Sequence, residues 1–286
     1  MIQSARQRKK KQKDMMGMVG IVLILGLGGL GFYFFDSNSD PLDKDTYCSI
    51  NNGPNAVTAI IFDKSQKYST EQVTDIKTSF NSWLSGQEPK TKNRPIELNF
   101  FKEGNLIQLY VTDQKAVDTP NGLTPKAELC VPKDFKTANE YFENPKFLEN
   151  DYNKFISKFA TTIESLLEES EGKSPIMETF VRISNSENFQ KHPTKKHNML
   201  IVSDMLQHSD NYSHYDEGTD WKTFENKMKG TVYTRPSLNG VEWQVFYAER
   251  KGARDRALQT TRSSQFWENF FANGGAISRE WILIDG

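Results

Sequence analysis

The stretch VTAIIFDKSQKYS, residues 57–69, predicts both the fold of this chain and the place of its candidate site. Residues 57–61 (VTAII) are mostly β-branched and apolar, which is typical of a strand buried on both faces of a sheet. A polar turn follows, and a helical pattern begins at about Thr70. Asp63 and Ser65 therefore lie where a buried strand ends, which is the edge at which open α/β sheets bind ligands.

Strand-like and helical segments alternate along the rest of the chain. The predicted helices cover residues 70–84, 152–167, 174–183, 220–229 and 258–271, and the predicted strands cover residues 57–61, 96–101, 106–112, 198–203, 241–247 and 279–284. Alternating strands and helices are typical of a doubly wound, Rossmann-like sheet. The predicted fold is therefore α/β, with a six-stranded and mostly parallel sheet.

One edge strand is expected to run antiparallel to the others. Residues 96–101 and 106–112 are joined by the turn sequence KEGN, which predicts a hairpin. An antiparallel edge strand on a parallel sheet is common. Residues 113–150 are irregular and rich in proline, and they are interpreted as an ordered insertion.

The N-terminal region predicts a membrane anchor. Residues 15–35 contain no charged side chain and would form a helix about 30 Å long, which matches the core of a bilayer. A cleaved signal peptide is the alternative, although its apolar region would be shorter. The basic cluster before the span places the N-terminus in the cytoplasm. The expected order is a basic tail (1–14), a transmembrane helix (15–35), a linker (36–55) and a domain outside the cytoplasm (56–286).

The charge distribution argues against nucleic-acid binding. The first 14 residues hold six of the 36 basic residues and one of the 37 acidic ones, which leaves the remainder at about −6. A mildly acidic body is a poor surface for nucleic acid. Ser203 has no evident histidine and acid partners, and the chain has no glycine-rich phosphate loop. We therefore expect a binding protein and not an enzyme.

The two cysteines are expected to pair. Cys48 precedes the first strand and Cys130 lies in the insertion, so a bond between them would close a long loop. Outside the cytoplasm two cysteines are more often bridged than free. The alternative is a pair of buried free thiols.

Three loops are expected at one edge of the sheet. The first carries Asp63 and Ser65, the second carries Ser174 at the capped start of a helix, and the third carries Asp204. Two carboxylates and two hydroxyls, completed by water, form an oxygen-only site suited to Mg²⁺ or Mn²⁺.

The segments AIIFDKSQK, GKSPIMET and NMLIVSDML, in this order, resemble the three site-bearing segments of a von Willebrand factor A-type domain. That family builds a metal-ion-dependent adhesion site from Asp-x-Ser-x-Ser, a threonine and a later aspartate. The resemblance implies that Asp63 and Ser65 match the first two motif positions, that Ser174 stands where the threonine belongs, and that Asp204 is the last carboxylate.

The chain departs from that family pattern at two positions. Lys67 replaces the second serine, and Met205 stands where the family usually has a glycine. The interpretation therefore stays open between a site that binds metal and a degenerate site. A degenerate site would be held by hydrogen bonds or by an ion pair between Lys67 and Asp63.

Two further clusters accompany these segments. The first comprises His208, Asp210, His214 and Asp216, which form either a second metal site or a solvated loop. Arg250 and Arg254 follow a predicted strand and should leave from the same sheet edge, where they would receive an acidic partner or a phosphate. A solvated basic loop is the alternative.

Together these features predict a membrane-anchored binding module that captures a protein partner, one presenting an acidic residue, at the carboxyl edge of its sheet. The anchored layout and the segment VSDMLQ also resemble uncharacterised membrane proteins of bacterial mobile elements. That resemblance implies a cell inner membrane and a periplasmic domain. The alternative is a structural subunit of an envelope-spanning complex for secretion, conjugation or defence, with a degenerate metal site.

Overall fold

The computed structural model describes residues 42–65, 67–84, 90–91, 94–95, 99–138, 144–168 and 172–284. The predicted tail and transmembrane helix lie outside the described residues, as does the first part of the linker. Within the described ranges, no helix is both long and apolar enough to cross a membrane. Leu42–Gly286 form one compact unit, so this unit already includes the second part of the linker.

A six-stranded sheet forms the centre of this unit. The strands in the described ranges are β1 (Ala56–Phe62), β2 (Lys90–Thr91), β3 (Arg94–Pro95), β4 (Leu106–Val111), β5 (Ala127–Cys130), β6 (Lys196–Ser203), β7 (Glu242–Ala248) and β8 (Ile277–Ile284). The sheet order is β5-β4-β1-β6-β7-β8, and β2 pairs with β3 in a separate two-stranded ladder. All neighbours in the large sheet run parallel except β5, so the predicted α/β, Rossmann-like class is confirmed.

Strand β1 lies at the centre because both of its faces are apolar. Every residue of β1 is buried, and Ile60 pairs with Leu109 of β4 on one side and Leu200 of β6 on the other. Side chains alternate between faces along a strand. Ile61 accordingly packs in one hydrophobic cluster, and Phe62 packs in the cluster on the opposite face.

Helices cover both faces of the sheet. The helices in the described ranges are α1 (Thr70–Leu84), α2 (Gln114–Asp118), α3 (Pro145–Glu168), α4 (Ile176–Ser184), α5 (Glu187–Gln190), α6 (His214–Glu217), α7 (Trp221–Lys227), α8 (Ala253–Leu258) and α9 (Thr261–Asn273), with 3₁₀ turns at Asn99–Phe101 and Phe135–Thr137. Helices α1 and α3 pack on one face, and α4 and α9 pack on the other. The result is a three-layer α/β/α domain.

The antiparallel edge strand exists, but the predicted hairpin was wrong. Strand β5 pairs with β4, whereas Asn99–Phe101 forms a 3₁₀ turn; residues 96–98 lie outside the described ranges. Phe100 and Phe101 both contact the aromatic cluster beside α1 and α3. Consecutive residues of a strand face opposite sides, so a turn suits two neighbouring phenylalanines that pack on one side.

The predicted disulfide between Cys48 and Cys130 is present, and the two cysteines are 82 positions apart in the sequence. It joins the segment before β1 to the edge strand β5. The N–H of Cys130 also donates to the carbonyl oxygen of Thr46 at 2.7 Å. The predicted insertion is therefore ordered where it is described, and it contributes α2, β5 and the beginning of α3.

The predicted last helix begins three residues too early. Its residues 261–271 lie in α9, whereas Leu258 is the last residue of the separate helix α8, and Gln259 and Thr260 lie between the two helices. The side chain of Gln259 donates to the carbonyl oxygens of Ala248 and Asp204, at 3.0 and 3.1 Å. The break between the helices thus places an amide side chain against the ends of β6 and β7.

A strand-end site built on two buried carboxylates

Four parallel strands end at the same edge of the sheet, and each is followed closely by a polar side chain. Asp63 follows β1, Thr112 follows β4 and Asp204 follows β6, while Arg250 lies two residues beyond β7. Ser203 is the last residue of β6. All five residues are buried. The topology, which makes these four strands parallel and adjacent, is what brings the side chains together.

The carboxylate of Asp63 is held by four donors. Its Oδ2 accepts hydrogen bonds from the hydroxyls of Ser174 and Ser203, at 2.9 and 2.7 Å. Its Oδ1 accepts from the hydroxyl of Thr112 at 3.1 Å and from the backbone N–H of Ser65 at 3.0 Å. A carboxylate offers about four acceptor positions, so its hydrogen-bonding capacity is filled.

Ser174 reaches the predicted place, but its predicted role as a helix cap was wrong. The N-cap of α4 is Pro175, which makes no side-chain hydrogen bond, and the hydroxyl of Ser174 donates to Asp63 instead. The backbone of Ser174 pairs with that of His208 in an isolated bridge. A hydrogen bond to a buried carboxylate is stronger than one to a backbone group, because the acceptor is charged.

The carboxylate of Asp204 is held by a buried ion pair with Arg250. The Nε of Arg250 donates to Asp204 Oδ2 at 2.6 Å, and the backbone N–H of Leu206 donates to Oδ1 at 2.9 Å. The two side chains are only 5% and 1% exposed. Arg250 also donates from Nη1 to the carbonyl oxygen of Lys67 at 3.2 Å. The side chain of Lys67 is exposed, so the cation that pairs with Asp204 is Arg250 and not Lys67.

Burial and neighbouring charges set the protonation of this pair. Burial raises the pKa of Asp204 to about 6, the carboxylate of Asp63 adds to the rise, and Arg250 opposes it. Burial lowers the pKa of Arg250, but the charge and hydrogen bond of Asp204, together with Tyr68 and Asp63, outweigh burial and leave the pKa raised. Both groups are therefore charged at neutral pH.

The turn after β6 is braced in an unusual backbone conformation. Met205, at the position where a glycine was expected, has a φ of 57° in the left-handed region. Its N–H donates to the hydroxyl of Ser203 at 2.8 Å, and its carbonyl oxygen accepts from the indole N–H of Trp267 at 2.7 Å. These contacts hold a conformation that costs a non-glycine residue about 1 kcal/mol or more.

A cleft of about 250 Å³ opens beside the buried carboxylates. Its lining includes Ser65, Ser174, His208, Tyr215, Arg254 and Asp255. The guanidinium of Arg254 lies 4.7 Å from the centre of the Tyr215 ring, and the hydroxyl of Tyr215 donates to Asp255 at 3.0 Å. Arg254 is exposed whereas Arg250 is buried, so only one of the two arginines expected to bind a partner lies on the surface.

The histidines and aspartates of the suggested second metal site do not converge. His214 is buried among aromatic rings, and burial lowers its pKa to about 3. His208 contacts the hydroxyl of Ser213, and Asp210 pairs with Lys173. In the part of the chain that the structure describes, no group of three or more His, Cys, Asp or Glu side chains is placed to hold a metal ion.

The strand-end residues also do not fit Mg²⁺ or Mn²⁺ as they are arranged. A divalent cation needs carboxylate oxygens with free lone pairs. Both oxygens of Asp63 already accept two hydrogen bonds each, and both oxygens of Asp204 are engaged. A cation could approach Asp204 only if the guanidinium of Arg250 moved away, because like charges repel.

Thr112 and Ser203 were missed as site residues by sequence reasoning. Both stand at the end of a predicted strand, which is the signal that could have identified them. Tyr215 was also missed, because it follows a loop whose path is set by tertiary contacts.

No family model and no curated protein matches this chain. Among solved structures, the pilus adhesin SpaC from Lactobacillus rhamnosus GG, in its open conformation, is similar over 84% of this chain, with 9% identity and a TM-score of 0.41. The human COPII-coat protein Sec24c is similar over 82%, with 12% identity and a TM-score of 0.36. The matched regions span 29% and 30% of those two chains.

Proposed function

We propose that this chain is a von Willebrand factor A-like binding module that captures a protein partner at the carboxyl edge of its sheet. The support is the convergence of the three segments that carry the family resemblance. Ser65 and Ser174 belong to these segments, contact Asp63, and line the adjacent cleft. Clefts at this edge are the usual ligand sites of open α/β sheets.

The observation that carries the proposal is the exposed guanidinium of Arg254 in the lining of the cleft. Its Cζ lies over the Tyr215 ring, and this cation–π contact leaves the N–H donors able to bind a carboxylate. The cleft, at about 250 Å³, is smaller than pockets for drug-sized ligands. We therefore propose that a partner inserts one glutamate or aspartate side chain here.

Photo-crosslinking in cells that produce the full-length chain tests this proposal. The cross-linking residue replaces Asp216, which is exposed and lines the cleft. We expect it to capture one protein, with the cross-link at an acidic residue of that protein. Adding Arg254→Gln should lower the yield at least about tenfold, the loss expected for one charge-assisted contact.

Arg256→Gln is the matched control, since Arg256 lies on the same helix, is exposed, and is not part of the cleft lining. The yield should be unchanged in this variant. An equal loss of cross-linking yield in both variants would show that the effect comes from the positive charge of this surface and not from Arg254 in particular. An unchanged yield in Arg254→Gln would contradict the proposal.

The proposed module acts outside the cytoplasm, at the cell inner membrane, with residues 15–35 as a single anchor. The Cys48–Cys130 disulfide supports this, because disulfides persist in oxidising compartments. An alkaline phosphatase reporter fused to the C-terminus is expected to be active. Activity of a cytoplasm-only reporter at the same position would reverse the proposed topology.

A structural subunit of an envelope-spanning complex is the second candidate. The buried Asp204–Arg250 pair favours it, because each charge already has its partner within the fold without a second protein or a metal. For such a subunit the cross-linked position would lie outside the cleft, and Arg254→Gln would have no effect.

A further inference from the structure

The guanidinium of Arg250 is surrounded by groups that stabilise a positive charge. Asp204 Oδ2 lies 2.6 Å from its Nε, and the carbonyl oxygen of Lys67 lies 3.2 Å from its Nη1. Its Cζ lies 5.5 Å from the centre of the Tyr68 ring. A carboxylate, a carbonyl dipole and an aromatic ring thus act on one buried cation.

The same surroundings are rich in oxygen atoms. Carboxylate and carbonyl oxygens are the ligands of hard divalent cations. A second carboxylate lies beside that of Asp204, because Asp63 follows the neighbouring strand β1 and its Oδ2 accepts from the hydroxyl of Ser203, the residue before Asp204. The negative field at this edge therefore stabilises a positive charge, which either a side chain or an ion can supply.

Hydrogen bonding alone does not explain the arginine. Its Nη2 is buried, and no acceptor among the described residues reaches it. The site thus leaves one donor of the guanidinium unsatisfied while it places the charge against Asp204. The position of the charge is the feature that the fold maintains.

We propose that Arg250 takes the place of a divalent cation at this sheet edge, so that the site keeps its charge balance and shape without metal. The oxygens of Asp204 and Lys67 then have a capacity for Mg²⁺ or Mn²⁺ that is available only when the guanidinium is removed. This inference concerns the edge itself and holds whether or not a partner binds near Arg254.

Thermal unfolding of the full-length chain, with EDTA or with a Mn²⁺ series, tests the inference. The wild-type midpoint is expected to be the same in all solutions. Arg250→Ala should unfold at a lower temperature in EDTA, and Mn²⁺ should raise its midpoint by about 5–10 °C at 100 times its dissociation constant. Arg250→Lys, which keeps a positive charge, should show no response to Mn²⁺.

Two controls assign the metal response to this site. Arg250→Ala combined with Asp204→Ala lacks both the cation and its main ligand, so it should not respond to Mn²⁺. Arg256→Ala removes an exposed arginine and should behave as the wild type in every solution.

Two results would overturn the inference. One is Mn²⁺ binding by the wild type, seen in Mn²⁺ paramagnetic resonance, that disappears in Asp204→Asn. The other is a folded Arg250→Ala variant that does not respond to metal. Should Arg250→Ala fail to fold with or without Mn²⁺, the wild-type resonance experiment decides alone, since specific binding overturns the inference and its absence supports it.

Discussion

The ends of β1 and β6 each place a buried carboxylate at the same edge of the sheet, yet the two are stabilised differently. Asp63 is held by three hydroxyls and one backbone N–H, all of them neutral donors. Asp204 accepts one backbone N–H and is otherwise paired with the charge of Arg250. Both solutions meet the same requirement, because an ionised carboxylate is costly to bury without partners.

The difference follows from where each strand lies. Strand β1 is flanked by β4 and β6, so Thr112 and Ser203 reach Asp63 from the two neighbouring strand ends. Strand β6 is flanked by β1 and β7, and its other neighbour supplies Arg250. The comparison shows that several neutral hydrogen-bond donors, where they converge on one carboxylate, can take the place of a charged partner.

Removing the counter-charge should have the largest effect. Arg250→Ala leaves Asp204 buried without its cation, and this is expected to cost about 3–5 kcal/mol of unfolding free energy at pH 8 in EDTA. Urea denaturation measures the loss, which should shrink at pH 5, where Asp204 is protonated. A loss below about 1 kcal/mol would show that Asp204 needs no counter-charge.

The pH dependence of the unfolding free energy should show the next largest effect, and this effect comes from Asp204. The folded-state pKa of Asp204, about 6, lies above its usual value of 3.8. Its contribution is therefore fully present below about pH 4 and is lost as the pH rises through 6, by about 3 kcal/mol at most. Denaturation curves of the wild type and Asp204→Asn, taken between pH 4 and 8, should diverge in this window. Parallel curves would contradict the raised pKa.

Neutralising the other carboxylate should cost less than losing Arg250. Asp63→Asn keeps the shape and one strong acceptor, but the hydroxyls of Ser174 and Ser203 lose a charged partner. We expect a loss of about 2 kcal/mol in urea denaturation. A loss as large as that of Arg250→Ala would mean that the neutral donors act as strongly as a full charge.

Single hydroxyl deletions should give the smallest effects. Ser174→Ala removes one donor to Asp63 and is expected to cost about 1 kcal/mol. Ser203→Ala should cost more, because the same hydroxyl also accepts from the N–H of Met205, whose φ is positive. Paired unfolding curves give the order, and a reversed order would show that the turn after β6 does not depend on Ser203.

Much of the fold was predictable because it depends on local periodicity. Residues 70–84 were predicted as a helix with the bounds that α1 has, and residues 198–203 lie within β6. The strand predicted over residues 96–101 was wrong at Asn99–Phe101, the part that the structure describes, because two adjacent phenylalanines there pack on the same side. The helix predicted over residues 258–271 is present from Thr261, and its start was wrong because Gln259 is held by backbone groups at the ends of β6 and β7.

The site was predictable in position and less so in chemistry. Asp63, Ser174 and Asp204 were expected at one edge, and the structure places them there. Arg250 was expected as a surface cation for a partner, but it is buried against Asp204. Lys67, the cation that a degenerate site was expected to pair with Asp63, is exposed, so proximity along the chain was a poor guide to pairing.

The sequence by itself determined the parallel α/β sheet, the disulfide partners and the edge that gathers the polar residues. These depend on hydrophobic period, on the presence of only two cysteines, and on strands whose carboxyl ends meet at one edge. Only the tertiary structure decided which charges pair, because Arg250 and Asp204 lie 46 residues apart and meet through the order of strands β6 and β7.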